Sequence, residues 1–179
     1  MCLRAFYESE ATHAVIIQDD TIVCRNFPLA VERIVEIHPD IPICLFVSAT
    51  KTKTLRKYMQ AVRSKVRYCD IWFQDFLPVV AVIWPRTKVK EFFAWYATDP
   101  KLPGLPNPRS DDAVVGSWMK FTKQRVLATV PSLVEHPDDT LSVKWSEGSK
   151  VPSGTGNKYR RAFAFIGDVD PLQLDWSSG

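Results

Sequence analysis

A chain of 179 residues is long enough for one domain with a buried core. Its 46% hydrophobic and 24% charged residues read as soluble and globular, and a formal net charge of +3 is too mild to indicate nucleic-acid binding by itself. No apolar run reaches the length of a membrane span, residues 1–10 lack the pattern of a signal peptide, and no two of Cys2, Cys24, Cys44 and Cys69 form a C-x-x-C zinc or dithiol motif. The expectation is a cytoplasmic protein with reduced thiols, in which Cys24 and Cys44 serve as small hydrophobes in or beside apolar runs.

In chain order, Leu3, Ala5 and Phe6 read as the tail of a helix. A buried strand follows over residues 13–18, with the apolar run Val15, Ile16 and Ile17. Leu29, Ala30, Ile34 and Ile37 have helical spacing, with Asn26 as N-cap and Pro28 in the first turn. Pro42 opens an apolar strand over 43–47. Residues 51–67 hold Lys51, Lys53, Arg56, Lys57, Arg63, Lys65 and Arg67 without an acid. They read as a helix with Leu55, Met59 and Val62 facing inward and a solvated basic face; the sharper reading is a surface for an acidic, phosphate-rich partner. Strands are expected over 68–73 and 76–84, the second fully buried. An amphipathic helix with Phe92, Phe93 and Tyr96 covers 88–98.

A proline-rich loop occupies 99–108. A short helix over 112–121 and a strand over 126–130 come next. A further strand over 141–145, a mobile loop over 146–158 and an edge strand over 161–166 complete the reading. Strands alternate with helices through the first half, so the class is α/β. The whole chain reads as one domain, 1–179, with 146–179 a loop-rich C-terminal tail. Of the tryptophans, Trp84, Trp95, Trp118 and Trp145 read mainly as core, with a sugar-stacking platform as the alternative.

Three clusters carry candidate chemistry. The first is Gln18-Asp19-Asp20 at the end of a strand. In open α/β sheets ligands gather beyond the carboxyl ends of strands. The two acids read either as turn and capping groups or as a divided pair, one on a cation and the other on a sugar hydroxyl. The second is Arg109-Ser110-Asp111-Asp112. Ser110 or Asp111 makes a good N-cap, and the alternative is a carboxylate general base at a cleft rim. The third is Pro131-Ser132-Leu133-Val134-Glu135-His136. An imidazole with one or two carboxylates suits a divalent cation such as Mn²⁺.

Taken together, QDD at a strand's end, SDDAVVGSW and VLATVPSLVEH resemble the GT-A-type glycosyltransferases, nearest to small bacterial and phage members. The likeness runs from about residue 12 to residue 136, and PSLVEH is its most specific piece. The resemblance implies a truncated GT-A-like, Rossmann-like mixed sheet flanked by helices. It implies a metal-dependent transfer of sugar from a nucleotide-sugar donor to an acceptor hydroxyl, in the inverting manner. By that resemblance Asp20 and His136 would hold Mn²⁺ or Mg²⁺ and Asp19 would lie near the donor's ribose or sugar. Asp112 would be the catalytic base, with Asp111 on acceptor or donor sugar. Arg160 and Arg161 could clamp the diphosphate; their other reading is exposed arginines on an edge strand.

One departure stands out. Only residues 1–12 precede the QDD strand, whereas each βαβ unit needs about 30 residues. The first nucleotide-binding units of such a fold therefore have no room. Three explanations fit: a fragment, a second chain or self-assembly that supplies the missing half, or a catalytically inactive relative kept as a binding protein. Donor nucleotide and acceptor are not legible.

Overall fold

The computed structural model describes residues 2–48, 53–71, 80–98, 111–136 and 161–178. The expected loop over 99–108, strand over 141–145 and loop over 146–158 lie outside them, as do Arg160, Trp145 and the 72–79 portions of two expected strands. The elements are α1 (Cys2–Glu8), β1 (His13–Ile17), β2 (Ile22–Val23), α2 (Phe27–Ile37), β3 (Ile43–Cys44), α3 (Lys53–Ser64), β4 (Tyr68–Ile71), β5 (Ala81–Pro85), α4 (Arg86–Thr98), α5 (Asp111–Thr122), β6 (Val126–Thr129) and β7 (Val134–Glu135). A 3₁₀ turn, Pro171–Gln173, follows. No described helix is long and apolar enough to cross a membrane.

The class is α/β, as expected. The main sheet has strand order β1-β5-β3-β6-β4. β5 runs antiparallel to both β1 and β3, β3 and β6 are parallel, and β4 is antiparallel to β6. Hence β1, β3 and β6 share one direction, and their carboxyl ends share one edge of the sheet. β2 and β7 form a separate antiparallel pair.

Side-chain alternation sorts the strands onto two faces. One face takes Cys44, Cys69, Ile71, Val82, Trp84, Val126 and Ala128 and packs on residues of α1, α3, α4 and α5. Trp118 is fully buried there, with Phe92 edge-on at 5.6 Å and Trp84 at 6.1 Å between ring centroids. The other face takes Ile43, Leu45, Tyr68, Ala81, Ile83 and Leu127 and packs on α2, Ile166 and Trp176.

Several expectations are corrected. β1 is an edge strand, with Val15 and Ile17 each 37% exposed, rather than a buried one. β3 is two residues long: Leu45 N still donates to Ala81 O at 3.0 Å, but its carbonyl turns away and accepts from both Leu133 N and Val134 N. Asn26 lies at the N-cap but makes no side-chain cap. Its left-handed backbone (φ 51°) turns the amide away, and Nδ2 donates to Asp170 Oδ2 at 3.1 Å. In α3 the buried set is Thr54, Leu55, Tyr58 and Ala61, while Val62 is exposed. Residues 161–166 form no strand but two isolated bridges, Ala162 to Ser48 and Phe165 to Ser132. Trp84 and Trp118 are core, and Trp95 packs against it.

Candidate functional site

β1 ends at Ile17, and Gln18 N extends its ladder by donating to Val80 O at 2.9 Å. The chain then turns at Asp19-Asp20. Thr21 Oγ1 closes the turn by donating to Gln18 O at 2.7 Å. The acids are therefore turn residues and not the last residues of an extended strand, as the turn reading expects. After the turn, β2 pairs with β7 in the register Ile22 to Glu135 and Val23 to Val134. Continuing that register by one step sets Thr21 across from His136 and Asp20 diagonal to it.

The outcome is a direct contact. His136 Nε2 lies 3.2 Å from Asp20 Oδ2. The imidazole side chain is 3% exposed and the carboxylate 19%. The ring sits in the protein while the carboxylate reaches towards solvent. Asp19, its neighbour, is exposed.

Backbone bonds hold this corner to the sheet. Leu133 N donates to Leu45 O at 2.9 Å, and Cys24 N donates to Leu133 O at 3.0 Å. Ser132 is fully buried: its Oγ accepts from Val47 N at 3.1 Å and lies 3.0 Å from the Tyr58 hydroxyl of α3. Burial pushes the Tyr58 phenol well above its ordinary value, so the hydroxyl stays protonated and can serve as hydrogen-bond donor.

Glu135, named in the third cluster without a role of its own, acts as a clasp. Its Oε1 accepts from His136 N and from Ala162 N, both at 2.8 Å. One carboxylate thus ties the histidine's backbone to the returning C-terminal segment. Phe163 N adds a bond to Val47 O at 2.8 Å, and Ser132 N one to Ala164 O at 2.8 Å. The only signal in sequence was an acid beside the histidine, which does not reveal a partner 27 residues away.

The segment 161–166 crosses the sheet edge where β3 and β6 end, and so brings the backbone of Arg161 beside Glu135. Arg161 is exposed. Asp111 and Asp112 open α5. The side chains of both acids lie outside the described residues. Asp20 and His136 thus touch, the chain at Arg161 and Ala162 passes beside Glu135, and Arg160 lies outside the described residues.

The donor set fits a divalent cation in part. One imidazole nitrogen and one carboxylate oxygen meet at a half-open position, a mixture that suits Mn²⁺ and tolerates Mg²⁺. Among the described residues no group of three or more His, Cys, Asp or Glu side chains comes together. Further ligands would come from water or phosphate oxygens, as is usual where a metal is bound together with its substrate. A surface cleft of about 510 Å³ lies elsewhere, between α2 and the C-terminal segment, lined by Glu32, Arg33, Glu36 and Asp175 among others. Comparison with models of known protein families, with characterised proteins and with solved structures gives no match.

Proposed function

We propose that the chain is a metal-dependent glycosyltransferase of GT-A-like architecture, or the catalytic-side portion of one, moving a sugar from a nucleotide-sugar donor to an acceptor hydroxyl. The observation that carries this reading is the Asp20–His136 contact at the carboxyl edge of β1, β3 and β6. Two motifs 116 residues apart in sequence meet at 3.2 Å, which supports a shared site. In this reading Asp20 and His136 hold Mn²⁺ or Mg²⁺. When bound, the ion supplies Lewis-acid neutralisation of charge on the leaving diphosphate.

The chain's own residues do the rest. Asp112, at the first turn of α5, takes the proton from the acceptor hydroxyl, an effect worth about a hundredfold or more. Asp111 contacts a sugar. Asp19, exposed in the turn, faces the donor's ribose or sugar. Arg160 and Arg161 bind diphosphate oxygens. Inversion follows from the resemblance rather than from a distance.

The test is calorimetric titration with Mn²⁺, with and without UDP or GDP, on wild type, Asp20→Ala and His136→Ala. Metal-dependent nucleotide binding that both substitutions abolish is the expected result. Folded wild type that binds neither metal nor nucleotide would refute the reading.

A second reading, a catalytically inactive relative that works as an interaction protein, is favoured by β1. No described strand pairs with its outer edge, and Val15 and Ile17 are exposed beside it. Such an edge invites pairing with a second chain or a second copy. This reading predicts stable assembly without turnover of any nucleotide-sugar.

A further inference from the structure

α3 turns one face into the core through Thr54, Leu55, Tyr58 and Ala61. Every charged residue on the remaining face is basic. Lys53, Arg56, Lys57 and Arg63 are all exposed, Lys65 follows just beyond the last turn, and the helix contains no acid. Helical spacing puts Arg56, Gln60 and Arg63 in one row, with Lys53, Lys57 and Ser64 in the next. Arg56, Lys57, Arg63 and Lys65 make no ion pair with any described residue. Exposed cations elsewhere are of both kinds: Arg4 pairs with Glu8 and Arg125 with Asp70, while Arg25, Arg33, Lys90, Lys120 and Lys123 make no ion pair with a described residue, so what sets α3 apart is the clustering of its cations without an acid. Four unpaired cations within about 15 Å of helix concentrate a positive field that a net charge of +3 conceals.

We infer that the exposed face of α3 is a docking surface for the phosphate backbone of a nucleic acid. The partner follows from charge complementarity and from what the face lacks. A helix that lies on a lipid surface presents large apolar side chains to it. Here Leu55, Tyr58 and Ala61 are buried in the core, and Val62 is the one exposed apolar side chain of the helix. Duplex DNA carries one negative charge about every 1.7 Å along its axis, a density that a row of this length can engage at several phosphates. Two of the four cations are arginines, whose planar forks take phosphate oxygens in pairs. The contact reads no bases and is therefore sequence-independent and salt-sensitive. It stands apart from the metal reading, since no residue of this face belongs to the Asp20–His136 corner.

The test is fluorescence anisotropy of the full chain with a labelled duplex of about 20 base pairs across about 50–200 mM salt. Expected is a log–log salt slope near −3 to −4, with an affinity loss of about a hundredfold across that range. The triple variant Arg56→Gln/Lys57→Gln/Arg63→Gln should cut the slope by about 3 and weaken low-salt binding at least tenfold. Lys120→Gln/Lys123→Gln, which removes exposed cations from another surface, should leave both nearly unchanged. Melting curves check that the variants fold. Absence of duplex binding at low salt, binding indifferent to the triple substitution, or triple-variant-sensitive capture by phosphatidylserine vesicles or polyglutamate but not by the duplex would each overturn the inference.

Discussion

The two faces of the sheet bury comparable apolar cores by different means. One face is covered by α1, α3, α4 and α5, whose buried residues recur at helical spacing. The other is covered by α2 and by the irregular segment 161–178. That segment holds itself in place with polar clasps. Asp170 Oδ1 accepts from Leu172 N at 3.0 Å, its Oδ2 accepts from Asn26, and Asp175 caps Ser177. Trp176, fully buried, is its apolar plug, and the indole donates to Pro171 O at 2.8 Å. The helical face therefore rests on dispersed packing, while the irregular face rests on a few fasteners. The Asp20–His136 corner lies where the fastened segment crosses the sheet edge, so the site depends on the more fragile face.

The contrast can be broken in several ways. Trp118→Ala should cost about 3–5 kcal/mol, because it empties the centre of the helical face where collapse is limited. Thermal unfolding should remain one transition at a lower midpoint. Trp176→Ala removes a side chain of the same size but should act locally first. Native-state hydrogen exchange should show residues 161–178 opening before the sheet, with a smaller loss in global stability. If the two variants melted identically with no sub-global opening, the distinction between the faces would fail. Tyr58→Phe should cost about 0.5–1.5 kcal/mol, the net worth of one hydrogen bond, since Ser132 Oγ still accepts from Val47 N.

Acid should sharpen the comparison. Accepted hydrogen bonds hold the Asp170 and Asp175 carboxyls below their ordinary value of 3.8: from Leu172 N and Asn26 on Asp170, and from Ser177 on Asp175. A folded value below the unfolded one stabilises above the ordinary value, and that contribution is lost as pH falls through the lower, folded value. The irregular segment should loosen first in acid, seen as solvent exposure of Trp176 below about pH 4 while far-ultraviolet helix signal persists. The smallest effect concerns the thiols. Burial pushes Cys24 and Cys44 up to about 11 and Cys69 up to about 12. All three are buried free cysteines, and they should resist alkylation at pH 8 until the protein is unfolded.

What was legible in the sequence follows the same division. Helical spacing in residues 27–38 and 88–98 marked α2 and α4, and the buried run ending at Trp84 marked β5, because periodicity records which side faces a core. The fastened face left no such record. Trp176 sits among polar residues, and its burial depends on Asp170, Asn26 and Pro171 meeting across the fold. β1 seemed buried because Val15, Ile16 and Ile17 form an apolar run. Only the strand order shows that it is an edge. At the site, the resemblance set Asp20 and His136 on one ion, but the local sequence pattern did not show the route to their contact. It is created by the β2–β7 register, which two strands of two residues could not announce. Glu135 was invisible as a clasp, because its second partner, Ala162, lies in a segment that has no regular structure.

The central claim is that Asp20 and His136 form a cation site. Pulsed electron paramagnetic resonance of Mn²⁺ bound to the chain in the presence of UDP tests it most directly, because a coordinated imidazole nitrogen modulates the electron spin echo. The account predicts nitrogen modulation in wild type that disappears in His136→Ala, together with loss of bound Mn²⁺ in Asp20→Ala. Bound Mn²⁺ without nitrogen modulation, or modulation that survives His136→Ala, would contradict it.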